Sequence, residues 1–351
     1  MADCQHRFAI ILCVLLVAGC GVNVAPPIPL AADDDAPSSG ANPSGDLVEL
    51  DPLLPGYQPV SQQLTGRITS VGSDTMNNIM ALWVQGFRAY YPMVEVEVEG
   101  KGSSTAVPAL VEGQATFGPM SRDPKPTEVD QFKEEFGYPP TQLAVGMDML
   151  AVYVNKDNPI ESLTLPQVDA IFSKTRKLGY SKDISTWGDL GLTDGWQSRA
   201  IELYGRNAAS GTYGYFKDHA LGGGDFKDSV KEQPGSSSVV QGVGSDPSAI
   251  GYSGIGYRSA DVRALPLAEE SGQSAVAAEP KYAYSGEYPL ARYLWLTINY
   301  QPGAKLDPLR REFIKYILSR QGQEHVQKDG YLPIKAEKAR QTLASLGIAS
   351  P

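Results

Sequence analysis

Short β-strand segments alternate with amphipathic helices from Gly66 onward, and this alternation limits the fold more than any other feature of the sequence. Ile68–Val71 is rich in β-branched residues, and apolar residues then recur at helical spacing from Met76 to Phe87. Val94–Glu99 alternates valine with glutamate, as expected of a strand with one buried face. Strand–helix alternation of this kind predicts an α/β fold with largely parallel sheets.

Later segments continue the same pattern. Ala151–Val154 is a predicted strand, and Pro166–Phe172 is a predicted short helix with apolar residues on one side. Asp307 and Pro308 are typical of a helix start, as N-cap and first helical residue. At 351 residues the chain exceeds the size at which one hydrophobic core stops growing, so two lobes are expected.

Charge and cysteine content exclude several classes of protein. The formal net charge of −10 argues against a broad nucleic-acid surface, which needs clustered lysine and arginine. It does not argue against a buried anion, which responds mainly to nearby donors. All three cysteines, Cys4, Cys13 and Cys20, lie in the first twenty residues. The remaining chain therefore has no disulfide, cysteine-ligated metal or cysteine nucleophile.

The N-terminal residues resemble an export signal. His6 and Arg7 precede the apolar run Phe8–Leu16, and the sequence Leu-Val-Ala-Gly-Cys ends at Cys20. This ending resembles a bacterial lipobox, which implies a signal peptide over residues 1–20, cleavage before Cys20 and lipidation of its thiol. Residues 21–65 are polar and proline-rich, so we expect a disordered tether there. A plain signal peptide with an incidental cysteine is the alternative.

Three segments share one design, in which a strand is followed by a loop of small hydroxyl residues and then by a helix start. A helix N-terminus presents unpaired N–H groups and partial positive charge, while glycine allows an anion to approach the backbone. Converging loops of this kind could replace the hydration shell of a tetrahedral oxyanion. Taken singly, each could be an ordinary helix cap. The three loops are Gly72-Ser73-Asp74-Thr75, Gly100-Lys101-Gly102-Ser103-Ser104-Thr105 and Ser210-Gly211-Thr212.

Two arginines lie near these loops in the sequence. Arg122 follows the strand-end pattern Phe117–Ser121, and Arg206 lies four residues before Ser210. A guanidinium group matches the oxygens of a phosphate-like anion. Each arginine could instead form a surface or interlobe salt bridge.

The order and spacing of several motifs from about Gly66 to Ile334 resemble the PstS-like family, the phosphate-binding proteins of bacterial ABC phosphate uptake. The resemblance implies the two-lobed periplasmic binding protein fold, each lobe a mostly parallel sheet flanked by helices, with two crossover strands as the hinge. We place the crossings near Met149–Val152 and Ser285–Pro289. Lobe I would then comprise residues 66–151 and 286–351, and lobe II residues 152–285. The motifs are Gly72–Met76, Gly100–Ala106, Phe117–Arg122, Trp187–Leu190, Arg206–Thr212, Ala249–Tyr252 and Tyr288–Arg292.

The same resemblance assigns ligand contacts to residues of the matching motifs. In one respect the sequence departs from better-known members, which carry an acidic residue as acceptor of the phosphate proton in the loop that follows Phe117–Met120. That loop, called the third loop below because it comes third along lobe I, reads Ser121-Arg122-Asp123 here. Asp74 is our first choice of acceptor and Asp123 the second. The implied phosphate contacts are Ser73, Asp74, Thr75, Ser103, Ser104, Ser121, Arg122, Arg206, Ser210, Gly211 and Thr212.

The function implied by the family resemblance is extracytoplasmic binding of inorganic phosphate for delivery to ABC transporter permease subunits, and the lipobox-like N-terminus adds a lipid anchor at Cys20. We expect a monomer without cofactor, metal or nucleic-acid partner, and not an enzyme. Alternatives are a binding protein for sulfate, molybdate or a phosphonate, and a sensor or adhesion lipoprotein without a transporter. A hydrolase is disfavoured because His219 and His325 are the only histidines after Cys20 and no Gly-x-Ser-x-Gly motif occurs.

Overall fold

A computed structural model describes residues 48–348. Over this range the chain alternates strands and helices, as the sequence pattern predicts. The strands are β1 (Gly66–Val71), β2 (Val94–Glu99), β3 (Gly118–Met120), β4 (Thr141–Asn155), β5 (Leu163–Thr164), β6 (Glu202–Arg206), β7 (Lys231–Gln233), β8 (Ala249–Gly254), β9 (Val262–Ala264), β10 (Leu267–Ala268) and β11 (Ala291–Ile298).

The helices lie between and after these strands. Short 3-10 helices at Asp74–Met76, Ser103–Thr105, Trp187–Leu190 and Ile255–Tyr257 supplement them. The α-helices are α1 (Asn77–Arg88), α2 (Ala106–Val111), α3 (Pro126–Phe136), α4 (Leu165–Phe172), α5 (Gly211–Ala220), α6 (Ser236–Ser245), α7 (Pro280–Ser285), α8 (Pro308–Ile317), α9 (Arg320–Lys328) and α10 (Ala336–Ser345).

Local patterns account for several of these boundaries. The predicted strand Val94–Glu99 is confirmed, and the predicted helices appear as α1, α4 and α8. The Asp307 side chain accepts a hydrogen bond from the Arg310 amide, which is the expected N-cap of α8. The predicted strand Ala151–Val154 is the second part of the longer β4.

A seven-stranded mixed sheet forms the centre of the protein. Six of its strands run in the order β3-β11-β4-β8-β6-β7, and β9 pairs with β4. Pairing is parallel between β6 and both β7 and β8, and antiparallel where β11 meets β3 and β4 and where β4 meets β8. The parallel pair β1–β2 joins this sheet through a bridge between Ser70 and Phe117, next to β3.

Strand β4 belongs to both lobes of the fold. Residues Thr141–Met149 pair with β11, whereas Leu150–Val154 pair with β8. This change of partner lies in the stretch where we expected the first crossing. Below, lobe I denotes β1–β3, β11 and the first part of β4 with α1–α3 and α8–α10; lobe II denotes β6–β9 and the second part of β4 with α4–α6. The structure thus has the two-lobed α/β architecture that the sequence predicts, but its central sheet is mixed and not mostly parallel, because β4 and β11 pair antiparallel with their neighbours.

Residues 48–65 differ from the expected tether. Leu54, Tyr57 and Leu64 are buried in the core. The Tyr57 hydroxyl donates to Glu312 at 3.1 Å, and the Asp51 carboxylate accepts from the Ala336 amide at 2.9 Å. A few buried apolar side chains are enough to attach this polar, proline-rich segment to lobe I. The composition of the segment alone does not predict such an attachment. The predicted signal peptide, Cys20 and residues 21–47 lie outside the described residues.

Buried apolar side chains fill the space between the sheet and the helices in both lobes. Trp83 and Phe87 of α1 contribute to this core in lobe I, and Phe216 of α5 stacks on Tyr252 of β8 in lobe II at 3.9 Å between ring centroids. In the described range 48–348, no helix is long and apolar enough to cross a bilayer.

Candidate functional site

The first loop joins β1 to α1 and lies directly on the third loop. The Ser73 amide donates to the Pro119 carbonyl at 2.8 Å, and the Ser73 hydroxyl donates to the Ser121 hydroxyl at 3.1 Å. Any Cβ on Gly72 would overlap the Pro119 carbonyl, so glycine is needed for this close approach. Both serines are almost fully buried.

The second loop completes a group of three serine hydroxyls from lobe I. Ser103 is fully buried, and its hydroxyl accepts from the Ser121 amide at 3.1 Å and lies 3.4 Å from the Ser121 hydroxyl. Gly102 precedes it with φ +104, a conformation that side chains rarely allow. Ser73, Ser103 and Ser121, predicted from three separate motifs, therefore meet at one point.

The N-terminus of α5 approaches this group from lobe II. Ser210 is the N-cap, and its hydroxyl accepts from the amides of Thr212 at 3.1 Å and Tyr213 at 3.4 Å. The Thr212 hydroxyl lies 2.9 Å from that of Thr75 in lobe I. A Cβ on Gly211 would overlap the Ser103 hydroxyl, so α5 begins in direct contact with lobe I.

Arg206 is the buried cation of lobe II in this region. Its guanidinium donates to the Ser236 hydroxyl at 2.7 Å and to the Pro234 carbonyl at 3.0 Å. In the described part of the chain, its buried Nε has no hydrogen-bond partner. Desolvation lowers the pKa of Arg206 from its usual value, although nearby Asp74 opposes this effect. A buried cation with an unpaired N–H is suited to an anionic partner.

Asp74 connects the first loop to lobe II. Its Oδ2 accepts from the Ser236 amide at 3.1 Å and lies 3.3 Å from Nη2 of Arg206. The other proposed proton acceptor, Asp123, has an exposed side chain. Of the two aspartates, Asp74 is therefore the one that lies beside Arg206.

Arg122 and Ser104 lie at the edge of the serine group. The Arg122 guanidinium donates two hydrogen bonds to the Glu128 carboxylate, at 2.6 and 2.8 Å, in a bidentate ion pair. It also donates to the Ser104 hydroxyl at 3.1 Å. Its buried Nε has no partner among residues 48–348. The structure thus places Arg122 in an ion pair with α3 as well as beside the second loop.

Arg292, Asp148 and Ser236 also belong to this region, and the sequence predictions missed them. Arg292 donates to Asp148 at 2.7 Å and to the Thr212 hydroxyl at 3.0 Å. Two signals were present: Arg292 ends the motif Tyr288–Arg292, and Asp148 is the one charge in the apolar run Met147–Val154. Ser236 gave no comparable signal.

This arrangement is suited to holding a small oxyanion. It supplies buried hydroxyls, the N-terminus of α5 and guanidinium groups from both lobes. Neither histidine of residues 48–348 hydrogen-bonds to the serine group: His219 stacks on Tyr215, and His325 lies 2.8 Å from the Tyr316 hydroxyl. Over the described range, no three His, Cys, Asp or Glu side chains are grouped so that they could hold a metal ion.

Comparison with known proteins places the chain in a family. Residues 58–321 match the model of the PBP superfamily domain. The phosphate-binding protein PstS of Pseudomonas aeruginosa is 47% identical over 311 residues, which cover 89% of this chain and 96% of that protein. PstS of Bacillus subtilis is 27% identical, with 78% of this chain and 82% of that protein covered.

Solved structures agree with this assignment. A Clostridium perfringens protein, crystallised with bound phosphate and described as a candidate substrate-binding protein of a phosphate ABC transporter, superimposes with a TM-score of 0.64. It is 25% identical, and the match covers 77% of this chain and all of that one. An ABC-type phosphate transport receptor from Vibrio cholerae, 23% identical over 76% of this chain and all of that one, shares the fold with a TM-score of 0.59. The chain therefore belongs to the PBP superfamily and, within it, to the family of PstS phosphate-binding proteins.

Proposed function

We propose that this protein binds inorganic phosphate between its lobes and delivers it to an ABC transporter, without catalysing a reaction. The observation that carries the proposal is the meeting of Ser73, Ser103 and Ser121 with the N-terminus of α5 beside buried Arg206. The Pseudomonas relative, which is named a phosphate-binding protein, and the Clostridium structure, which contains phosphate, support this choice of ligand.

The chemistry of the site favours a tetrahedral anion. Backbone amides and hydroxyls donate hydrogen bonds without adding net charge, and the start of α5 adds the positive end of a helix dipole. Arg206 supplies a full positive charge, and its planar guanidinium group can donate hydrogen bonds to two phosphate oxygens. In a region shielded from water, each of these interactions is stronger than at a surface.

The mechanism we propose is a hinged clamp. Phosphate binds first to the lobe I loops at Ser73, Ser103 and Ser121. Closure of lobe II then brings Arg206 and Thr212 over the anion, and bound phosphate shifts the population toward the closed state. The contact between Thr75 and Thr212 belongs to that closed arrangement. The lobe boundaries stated above, 66–151 with 286–351 and 152–285, are part of this proposal.

Replacement of Arg206 tests the function. Arg206→Ala should weaken phosphate binding at least about tenfold, or ~1.4 kcal/mol, because the anion loses its charged partner in lobe II. Isothermal titration calorimetry on protein freed of retained anion measures the affinity, and circular dichroism checks the fold. Arg199→Ala is the control, since the Arg199 side chain lies over Trp196 on the surface of the same lobe.

Two outcomes would contradict these statements. Unchanged affinity in Arg206→Ala would remove Arg206 from the site. A parent protein that binds no phosphate would refute the proposed function itself.

Another oxyanion is the second candidate ligand, and the third loop is what favours it. That loop reads Ser121-Arg122-Asp123, whereas better-known members of the family carry an acidic proton acceptor in it. Without such an acceptor a site has less basis for distinguishing phosphate from sulfate. Competition by sulfate, molybdate and a phosphonate at pH 7 would rank these ligands.

We also propose that the protein acts outside the cytoplasm, attached to the membrane by lipid on Cys20. The support is the lipobox-like sequence ending at Cys20 and the polar stretch that follows it. Mass spectrometry of the N-terminal peptide should detect a lipidated Cys20, and an unmodified peptide beginning elsewhere would refute the anchor.

A further inference from the structure

A buried ion pair joins the two long central strands next to the serine group. Arg292 of β11 and Asp148 of β4 are directly opposite in the antiparallel register. Nε and Nη2 of Arg292 donate to Oδ2 of Asp148 at 3.0 and 2.7 Å. The two side chains are 2% and 0% exposed. Taking both charges out of water costs several kcal/mol, so their presence in the core needs a reason.

The Arg292 guanidinium extends from this pair to groups of both lobes. Nη1 donates to the Ser121 carbonyl at 2.7 Å, and Nη2 donates to the Thr212 hydroxyl at 3.0 Å. Ser121 belongs to the third loop of lobe I, and Thr212 to the first turn of α5 in lobe II. Arg292 therefore contacts one residue from each side of the cleft in which we place the anion.

Counting donors shows that Arg292 has capacity left for a ligand. A guanidinium has five N–H bonds. Four are used in the described structure, two by Asp148, one by the Ser121 carbonyl and one by the Thr212 hydroxyl. The remaining N–H is on Nη1, the nitrogen already bonded to the third loop. Apolar side chains could hold β11 against β4 with less desolvation, but they could not supply this donor.

We infer that Arg292 is a second guanidinium that contacts the bound anion, and that Asp148 is the positioning residue that orients it. This inference rests on the proposed phosphate-binding function. Asp148 is suited to the role because its Oδ1 accepts from the Ile255 amide at 3.0 Å, so three hydrogen bonds fix the carboxylate. Arg206 and Arg292 would then hold the anion from lobe II and from the central strands, respectively.

A neutral replacement of the whole pair separates this role from a structural one. The double variant Arg292→Gln/Asp148→Asn removes both charges and leaves no unpaired buried ion, and asparagine keeps the shape of Asp148. We expect it to bind phosphate about 30-fold or more weakly in calorimetry, since loss of a buried charged partner has effects of this size or larger. Its melting temperature without phosphate should stay within a few degrees of the parent.

A matched control and a conservative variant complete the experiment. Glu312→Gln/Lys315→Gln neutralises another ion pair of lobe I, remote from the serine group, and should leave phosphate affinity unchanged. Arg292→Lys retains a positive charge but loses the planar guanidinium group. Its affinity for phosphate should therefore fall between those of the parent and the double variant.

Each outcome decides between explanations. A double variant that binds phosphate within threefold of the parent would overturn the inference while leaving the proposed function intact. If Arg292→Lys binds phosphate no better than the double variant, a positive charge at this position does not account for the phosphate affinity. If the double variant does not fold, Arg292→Lys decides alone, and parent-like affinity overturns the inference. A parent without phosphate binding refutes the proposed function, and with it this inference.

Discussion

Neutral serine and threonine hydroxyls meet at the proposed site, and the charged groups beside them occur in pairs. Arg122 faces Glu128, Arg206 lies beside Asp74, and Arg292 faces Asp148. Pairing of this kind reduces the cost of burying each charge when no anion is bound. In the proposed function, the anion would be recognised by the spacing of donors more than by an excess of positive charge. This is compatible with a chain whose net charge is −10.

Replacement of Asp74 tests how the site distinguishes phosphate from sulfate. Its Oδ2 is used by Ser236, whereas Oδ1 accepts no hydrogen bond within residues 48–348 and could receive the phosphate proton. We predict that Asp74→Asn reduces the phosphate-to-sulfate affinity ratio at pH 7 at least about tenfold, because sulfate has no proton to donate. Competition calorimetry measures the ratio.

The ratio is the decisive quantity here, because Asp74→Asn also weakens contact with lobe II and lowers the affinity for both anions. Asp123→Asn is the control, and its exposed carboxylate predicts no change in the ratio. An unaltered ratio in Asp74→Asn would move the acceptor role to Asp123 or to a water molecule.

At the scale of elements, α5 is the part of lobe II that comes closest to Ser103 and Ser121, while the start of α6 meets the first loop through Ser236 and Asp74. Ser210 caps the helix with its side chain and leaves the first turn to face lobe I. Gly211 occupies the closest point, since a Cβ there would lie 2.6 Å from the Ser121 hydroxyl and would overlap that of Ser103. A glycine at a helix start is thus required by the neighbouring lobe and not by the helix itself.

Gly211→Ala should therefore impair closure of the two lobes without impairing the folding of the protein. Alanine is the better helix former, so the melting temperature without phosphate should be unchanged or slightly higher. Overpacking of a close contact costs ~1–3 kcal/mol, so phosphate affinity in calorimetry should fall by about tenfold or more. Gly56→Ala is the control, because the space around Gly56 is open. Parent-like affinity in Gly211→Ala would show that the lobes do not need this approach.

Elements with strong local signals could be predicted from the sequence. The valine–glutamate alternation of β2 and the Asp307 cap of α8 depend only on neighbouring residues. The three serines could be located by motif, although their meeting point could not. The pairing of Arg292 with Asp148 depends on strand register between residues 144 positions apart. Contacts of that range are set by the completed fold, which local patterns do not encode.

At the scale of the whole molecule, lobes I and II share β4 and enclose ionisable groups between them. Asp329 at the end of α9 is one such group, and its backbone carbonyl lies against Gly256 of the 3-10 helix that follows β8. Burial raises the pKa of Asp329 from 3.8 to about 7, opposed by the nearby amide of Ile79. The folded protein therefore retains this proton over a pH range in which the unfolded chain has lost it.

This raised pKa predicts a pH-dependent stability difference. Because the folded state binds the extra proton, the contribution of Asp329 to the free energy of unfolding falls as pH rises from about 4 to 7. Asp329→Asn should therefore match the parent near pH 4.5 and be more stable at pH 8, by up to a few kcal/mol. Thermal melts of both proteins across this range measure the difference. A constant difference at all pH values would show that Asp329 titrates normally.

The attachment of residues 48–57 to a single lobe has a mechanical consequence. The Val48 carbonyl accepts from Gln327, Asp51 accepts from Ala336, and Tyr57 donates to Glu312, all within lobe I. A pulling force applied from the N-terminal side of the chain is thus transmitted to lobe I through these hydrogen bonds, without passing along β4 to lobe II. In the proposed hinged clamp, lobe II would then rotate about the shared strand while lobe I is held still.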